Sequence, residues 1–189
     1  MLEDQQPAEE LVTRHLTPCL GGTAGPYPCE KVDLLELLPL AQIGGGSGND
    51  IWGWTDPVSG REFAIMGRSN GTAFVEITDP EESVYLGNLP THSGTSLWRD
   101  IKVYEGHAFI VSEATDHGMQ VFDLEQLLTV TTPPVTFTET AWYGFFGRAH
   151  NIVINEETGF AYVVGSRQGT QQCSAGLHMI DIRVPDAPV

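Results

Sequence analysis

The chain has 189 residues, 41% hydrophobic and 18% charged, with 21 glycines and 12 prolines. This is the composition of a folded, turn-rich domain with a hydrophobic core, not of a disordered chain. A net charge of −16 leaves no basic patch, which excludes nucleic acid and anionic membrane surfaces as partners; the surplus acid serves solubility or divalent-cation binding.

Residues 1–18 read as a polar, acidic tail with a short helical turn at Ala8 to Leu16. The opening MLEDQQPAEELVTRHL has neither the basic start nor the apolar stretch of a signal peptide. No later segment reaches the ~18 apolar residues of a membrane helix. Residues 19–43 begin with CLGGTAGPYPC, a turn-rich loop between Cys19 and Cys29. A disulfide is expected there, because the loop offers no histidine or third cysteine for zinc. Cys173 is left over, so its mate is expected outside the chain. VDLLELLPLAQI follows, and Pro39 argues against one long helix. Its last part, Leu38 to Ile43, reads as an outer strand that precedes any unit of its own.

From residue 44 onward the chain repeats. NDIWGW (Asn49 to Trp54), RDIKVY (Arg99 to Tyr104) and HNIVIN (His150 to Asn155) lie about 50 residues apart and align Asp50, Asp100 and Asn151. A second strand follows each, as FAIMG, AFIVS and AYVVG, and a third as FVEI, VFDL and MIDI. Glu76, Asp123 and Asp181 share one column. VYLGNL (Val84 to Leu89) and VTFTETAW (Val135 to Trp142) supply fourth strands, and the third copy stops at Val189 before its own. Hairpin signals fall between the strands: Asn70-Gly71, Glu105-Gly106 and NEETG (Asn155 to Gly159). Four strands per 50-residue period with no intervening helix is the pattern of a β-propeller. The expectation is an all-β fold of about three four-stranded blades in an incomplete ring, over residues 44–93, 94–144 and 145–189.

The runs CLGGTAGPYPC, GGGSGNDIWGWTDPVSGRE, GRSNGTAFVEITDP, YLGNLPTHSGTSLWRDIKVY, HAFIVSEATDHGMQVFDL, AHNIVINEETGFAYVVG and GLHMIDIRVPDAPV together resemble the bacterial choice-of-anchor B family, built from LVIVD-type propeller repeats. The resemblance covers Cys19 to Val189. It implies export, a place at the cell surface and a propeller architecture; it implies no reaction. The function expected on that architecture is binding or display, with a protein or glycan partner. The chain then reads as an N-terminal portion of such a protein.

In a propeller the first strand of each blade lines the central channel. The channel-facing candidates are therefore Asp50, Asp100 and Asn151, with neighbours Asn49, Arg99 and His150. Two roles fit them. Oxygen ligands from successive blades suit Ca²⁺, and Asp50, Asp100 and His150 make a candidate transition-metal set for a hydrolase or lyase. Alternatively the acids bond the backbone amides of the next blade and fix its spacing; repetition argues for this, since a structural need recurs in every blade. Trp52 and Trp54 share one strand face, to pack between blades or to stack on a ligand, and Trp98 is read the same way. The Glu76 column is expected to cap turn amides. His92, His107 and His117 lie in or near loops and are expected to be solvated or core histidines, the alternative being that the loops of His92 and His117 meet at one mouth; His178 is read as facing outward.

Overall fold

A computed structural model describes residues 16–167 and 176–189. Most of the expected polar tail with its helical turn, and Cys173, lie outside these residues. The fold is all-β. Cys19 and Cys29 are joined by a disulfide, with Cα atoms 5.9 Å apart, around a two-residue hairpin of β1 (Thr23–Ala24) and β2 (Tyr27–Pro28).

The expected outer strand at Leu38 to Ile43 is instead a short 3-10 helix, Leu40–Ile43, capped by Pro39 and closed by Gly44 in the left-handed region. Proline has no N–H to give a neighbouring strand. Side chains decide the rest: Leu38, Leu40 and Ile43 pack flat onto Ala64, Met66, Val75 and Tyr85. The segment thus covers a sheet face instead of extending a sheet edge.

Three sheets follow in chain order. The first holds β3 (Gly48–Thr55), β4 (Glu62–Arg68), β5 (Gly71–Glu76) and β6 (Val84–Pro90), all antiparallel. The second holds β7 (Arg99–Tyr104), β8 (His107–Ser112) and β9 (Met119–Asp123). The stretch Val135 to Trp142, expected as one fourth strand, is divided. Its first part, β10 (Val135–Thr136), runs parallel to β6 and becomes the fifth strand of the first sheet. Its last part, β11 (Ala141–Tyr143), closes the second sheet beside β9. Gly87 permits the crossing, for a Cβ there would stand 2.1 Å from the Val135 carbonyl oxygen. The third sheet holds β12 (Asn151–Asn155), β13 (Phe160–Val164) and β14 (His178–Asp181).

The turns follow local chemistry. Glu105 and Gly106 both have positive φ (44° and 69°) and join β7 to β8 as a two-residue hairpin, the geometry whose twist suits paired strands. Between β4 and β5 the two turn residues are Ser69 and Asn70, and Gly71 already pairs with Arg68.

The sheets stack face to face, which explains their alternation. In β8, Ala108 and Ile110 face Phe63, Ile65 and Phe74 of the first sheet. Phe109 and Val111 face Ile152, Ala161 and Val163 of the third. A strand buried on both faces must be apolar throughout, as AFIV is. His178 is corrected by the same register: it shares the inward face with Ile180, is buried, and lies 2.8 Å from the Tyr143 hydroxyl.

Candidate functional site

The first strands of consecutive sheets are neighbours, β3 beside β7 and β7 beside β12. Along this seam Asp50 Oδ2 accepts the Ile101 amide at 2.8 Å, and Asp100 Oδ2 accepts the Ile152 amide at 2.8 Å. Asn151, at the third position of the column, donates its amide to Asp100 Oδ2 at 3.2 Å. Asn49 donates to the Arg99 carbonyl at 3.0 Å. Lys102 completes the group: its Nζ bonds Asp100 Oδ1 and the Ile101 carbonyl and lies 4.4 Å over the Trp52 ring.

The two aspartates differ in proton affinity. Burial raises that of Asp50, and the Asp100 charge adds to it, against the amides of Ile101 and Ile51. Burial pushes Asp100 the same way, but the Lys102 ammonium, the Ile152 amide and the Asn151 amide outweigh it and hold the carboxyl below its ordinary value.

His150 does not join this pair. It is exposed, and its Nδ1 faces the Glu113 carboxylate, with the Trp98 ring 6.1 Å away. Among the described residues no three His, Cys, Asp or Glu side chains stand close enough together to hold a metal ion. Trp54 is buried between the first two sheets, whereas Trp52, Trp98 and Trp142 keep exposed faces.

Arg99 turns inward. Its Nε donates to the Arg68 carbonyl at 2.7 Å, and its Nη1 lies 3.0 Å from His117 Nε2. The same nitrogen lies 3.1 Å from Gln120 Oε1, and Nδ1 lies 3.0 Å from the Gly118 carbonyl. Burial, with the Arg99 charge beside it, lowers the His117 pKa to about 4; burial, with Arg68 nearby, lowers Arg99 to about 10. Beyond His117, Gln120 donates to Glu139 at 2.7 Å, and Glu139 meets His92 Nδ1 at 2.7 Å. His92 stacks on Trp142 at 4.2 Å. The rings of His92 and His117 lie 6.5 Å apart, so the two loops carrying them do meet.

The acidic column at the ends of the third strands divides by partner. Asp123 accepts the Glu125 amide and Asp181 the Arg183 amide, at 2.9 and 3.0 Å. Glu76 instead forms a two-pronged pair with Arg61. His107 bridges the Glu105 carbonyl and Asp186.

A pocket of about 380 Å³ opens where the second and third sheets meet, lined by Glu113, Arg148, His150, Val164, Gly165 and Arg167. Arg148 and Arg167 sit opposite each other in an isolated antiparallel bridge, each amide donating to the other's carbonyl at 2.9 Å. Of these residues only His150 stands out in the sequence. Arg148 and Arg167 lie 19 positions apart in segments with no motif, and only tertiary pairing makes them neighbours; the scarcity of basic residues, nine in the chain, is the one signal that marks them.

No family model matches the chain, and no curated protein matches it. Among solved structures it is similar to an extracellular domain assigned to a one-component system from B. thetaiotaomicron, with 16% identity and a TM-score of 0.37, over 82% of this chain and 27% of that one. The chain thus spans about a quarter of the length of the structure it matches.

Proposed function

We propose that the protein is an extracellular or cell-surface binding module in which the three sheets are consecutive blades of a β-propeller of the choice-of-anchor B type, and that it recognises its ligand at loop ends beside the inner strands. One observation carries this reading. The same acid-to-amide bond, Asp50 to Ile101 and Asp100 to Ile152, recurs between successive sheets at the repeat interval. Bonds that repeat sheet by sheet are scaffold bonds, which leaves recognition to the residues that break the pattern. His150 is the first of these, and it lines the pocket described above. The Cys19–Cys29 disulfide supports an oxidising location.

The test is retention on a panel of immobilised surface polysaccharides and proteins, with product analysis of whatever is retained. Saturable binding with the ligand recovered intact supports the module. Cleavage of the ligand, above all if chelator abolishes it, replaces this reading with a metal-dependent hydrolase or lyase. Failure to retain the protein on any member of the panel overturns it.

A further inference from the structure

We infer that the pocket of Arg148 and Arg167 is an anion subsite that takes one carboxylate of an acidic saccharide, a uronic acid unit, with Trp98 at its approach to cover the sugar ring. This rests on the binding-module reading and names the ligand of that same site.

The argument begins with charge. The protein carries −16 overall with nine basic residues. Lys31, Arg61, Lys102 and Arg183 are paired with carboxylates. Arg68 and Arg99 are buried, and Arg14 lies outside the described residues. Arg148 and Arg167 remain, and among the described residues neither guanidinium has an acidic or hydrogen-bonding partner. In so acidic a protein, an unanswered guanidinium is unexpected; two on one pocket wall are more so.

Backbone geometry fixes them there. In an antiparallel pair that exchanges both N–H···O bonds, the Cα atoms lie about 5.5 Å apart and the side chains leave the same side of the ladder. Like charges directly opposite each other are destabilising. The arrangement therefore costs the empty protein stability and repays it only when an anion bridges the two. Glu113, the acid in the pocket, already faces His150. Even with its carboxylate counted, the two arginines leave the pocket a surplus of positive charge.

The guanidinium fork matches a carboxylate in plane and spacing. A dense polyanion is disfavoured, because the net charge of the rest of the protein repels it. The fitting ligand carries a single acid per bound unit. Trp98 supplies the second half of the match. Trp98 is 55% exposed, and its ring lies 6.1 Å from that of the pocket-lining His150. An exposed aromatic face next to a charged fork suits a pyranose ring, whose C–H face stacks while its carboxylate reaches the arginines.

The experiment is calorimetric titration of the whole chain with D-glucuronate, using D-glucose and acetate as controls. Glucuronate should bind, glucose at least tenfold more weakly. Arg148→Ala and Arg167→Ala should each weaken glucuronate at least tenfold while the melting temperature stays level or rises, because the like-charge pair is relieved. Arg167→Lys should recover part of the affinity. Trp98→Ala should weaken glucuronate several-fold and leave acetate unchanged. No binding of glucuronate, or binding indifferent to both arginine substitutions, overturns the subsite. Acetate binding equal to glucuronate, with no effect of Trp98→Ala, overturns its assignment to a saccharide. If glucuronate fails while the polymer panel still retains the protein, only this inference falls; if both fail, the module reading falls with it.

Discussion

At the scale of single residues, the column formed by the first strands distinguishes two chemically identical acids. Asp100 is buried and bonded to the Ile152 amide, Asn151 and Lys102. Its removal strands a buried amide and an ammonium, so Asp100→Ala should cost about 2–4 kcal/mol, read as a drop in urea midpoint. Asp50→Ala removes fewer bonds and should cost about 1–2 kcal/mol. Their pH effects have opposite signs. The Asp100 carboxyl lies below its ordinary value of 3.8, so its contribution is present above that value and lost as pH falls through the folded one. Asp50 is raised, and its ionisation weakens the fold as pH rises. His117 acts more strongly. Its pKa falls from an ordinary 6.5 to about 4, so the unfolded chain takes up the proton first. Stability on the order of 3 kcal/mol is present above pH 6.5 and is lost as pH falls toward 4. Urea titrations at several pH values should show that slope, and His117→Gln should flatten it; an unchanged slope would exclude His117 as its source.

At the scale of elements, the decisive feature is the strand that changes sheets. β10 pairs with β6 of the preceding sheet, and Phe137, just after it, donates to the Asn88 carbonyl at 2.9 Å and packs edge-on to Phe74 and Phe122. This latch ties the first two sheets together by chain connectivity as well as by packing. Gly87→Ala drives a methyl group into the Val135 carbonyl and should cost about 1–3 kcal/mol. Hydrogen exchange should reveal lost protection at Phe137 with the β7–β8 hairpin unchanged. The 3-10 helix Leu40–Ile43 shows the complementary point: apolar residues that read as an edge strand spend their side chains on a face instead.

At the scale of the whole molecule, the middle sheet is buried on both faces, the first is covered only in part on its outer face by Leu38 to Ile43, and the third leaves apolar residues exposed. Val153 and Met179 on the third sheet are 60% and 62% exposed, and Ile51 on the first is 61% exposed. Apolar faces of this kind drive association, whereas the net charge of −16 opposes it at long range. Salt screens the charge and not the apolar contact. Sedimentation should therefore show self-association that grows with salt, and the double substitution Val153→Lys with Met179→Lys should reduce it. Association that falls with salt would point to charge pairing instead.

The sequence by itself determined the all-β class, the positions of the first strand of each sheet, the hairpin at Glu105-Gly106 and the Cys19–Cys29 bridge. Each follows from strand-like runs that recur about every 50 residues, turn residues with positive φ, or proximity along the chain, all of which are read along the chain without knowing what packs on it. The proposed blade count extends that repeat. Tertiary structure alone decided that His178 points inward, that Val135 and Trp142 belong to different sheets, that His150 meets Glu113 instead of the aspartates, and that Arg148 faces Arg167. These are contacts between residues 19 or more positions apart, or choices between two faces of a strand. Local propensity is blind to both, because the partner that settles them arrives only when the sheets stack.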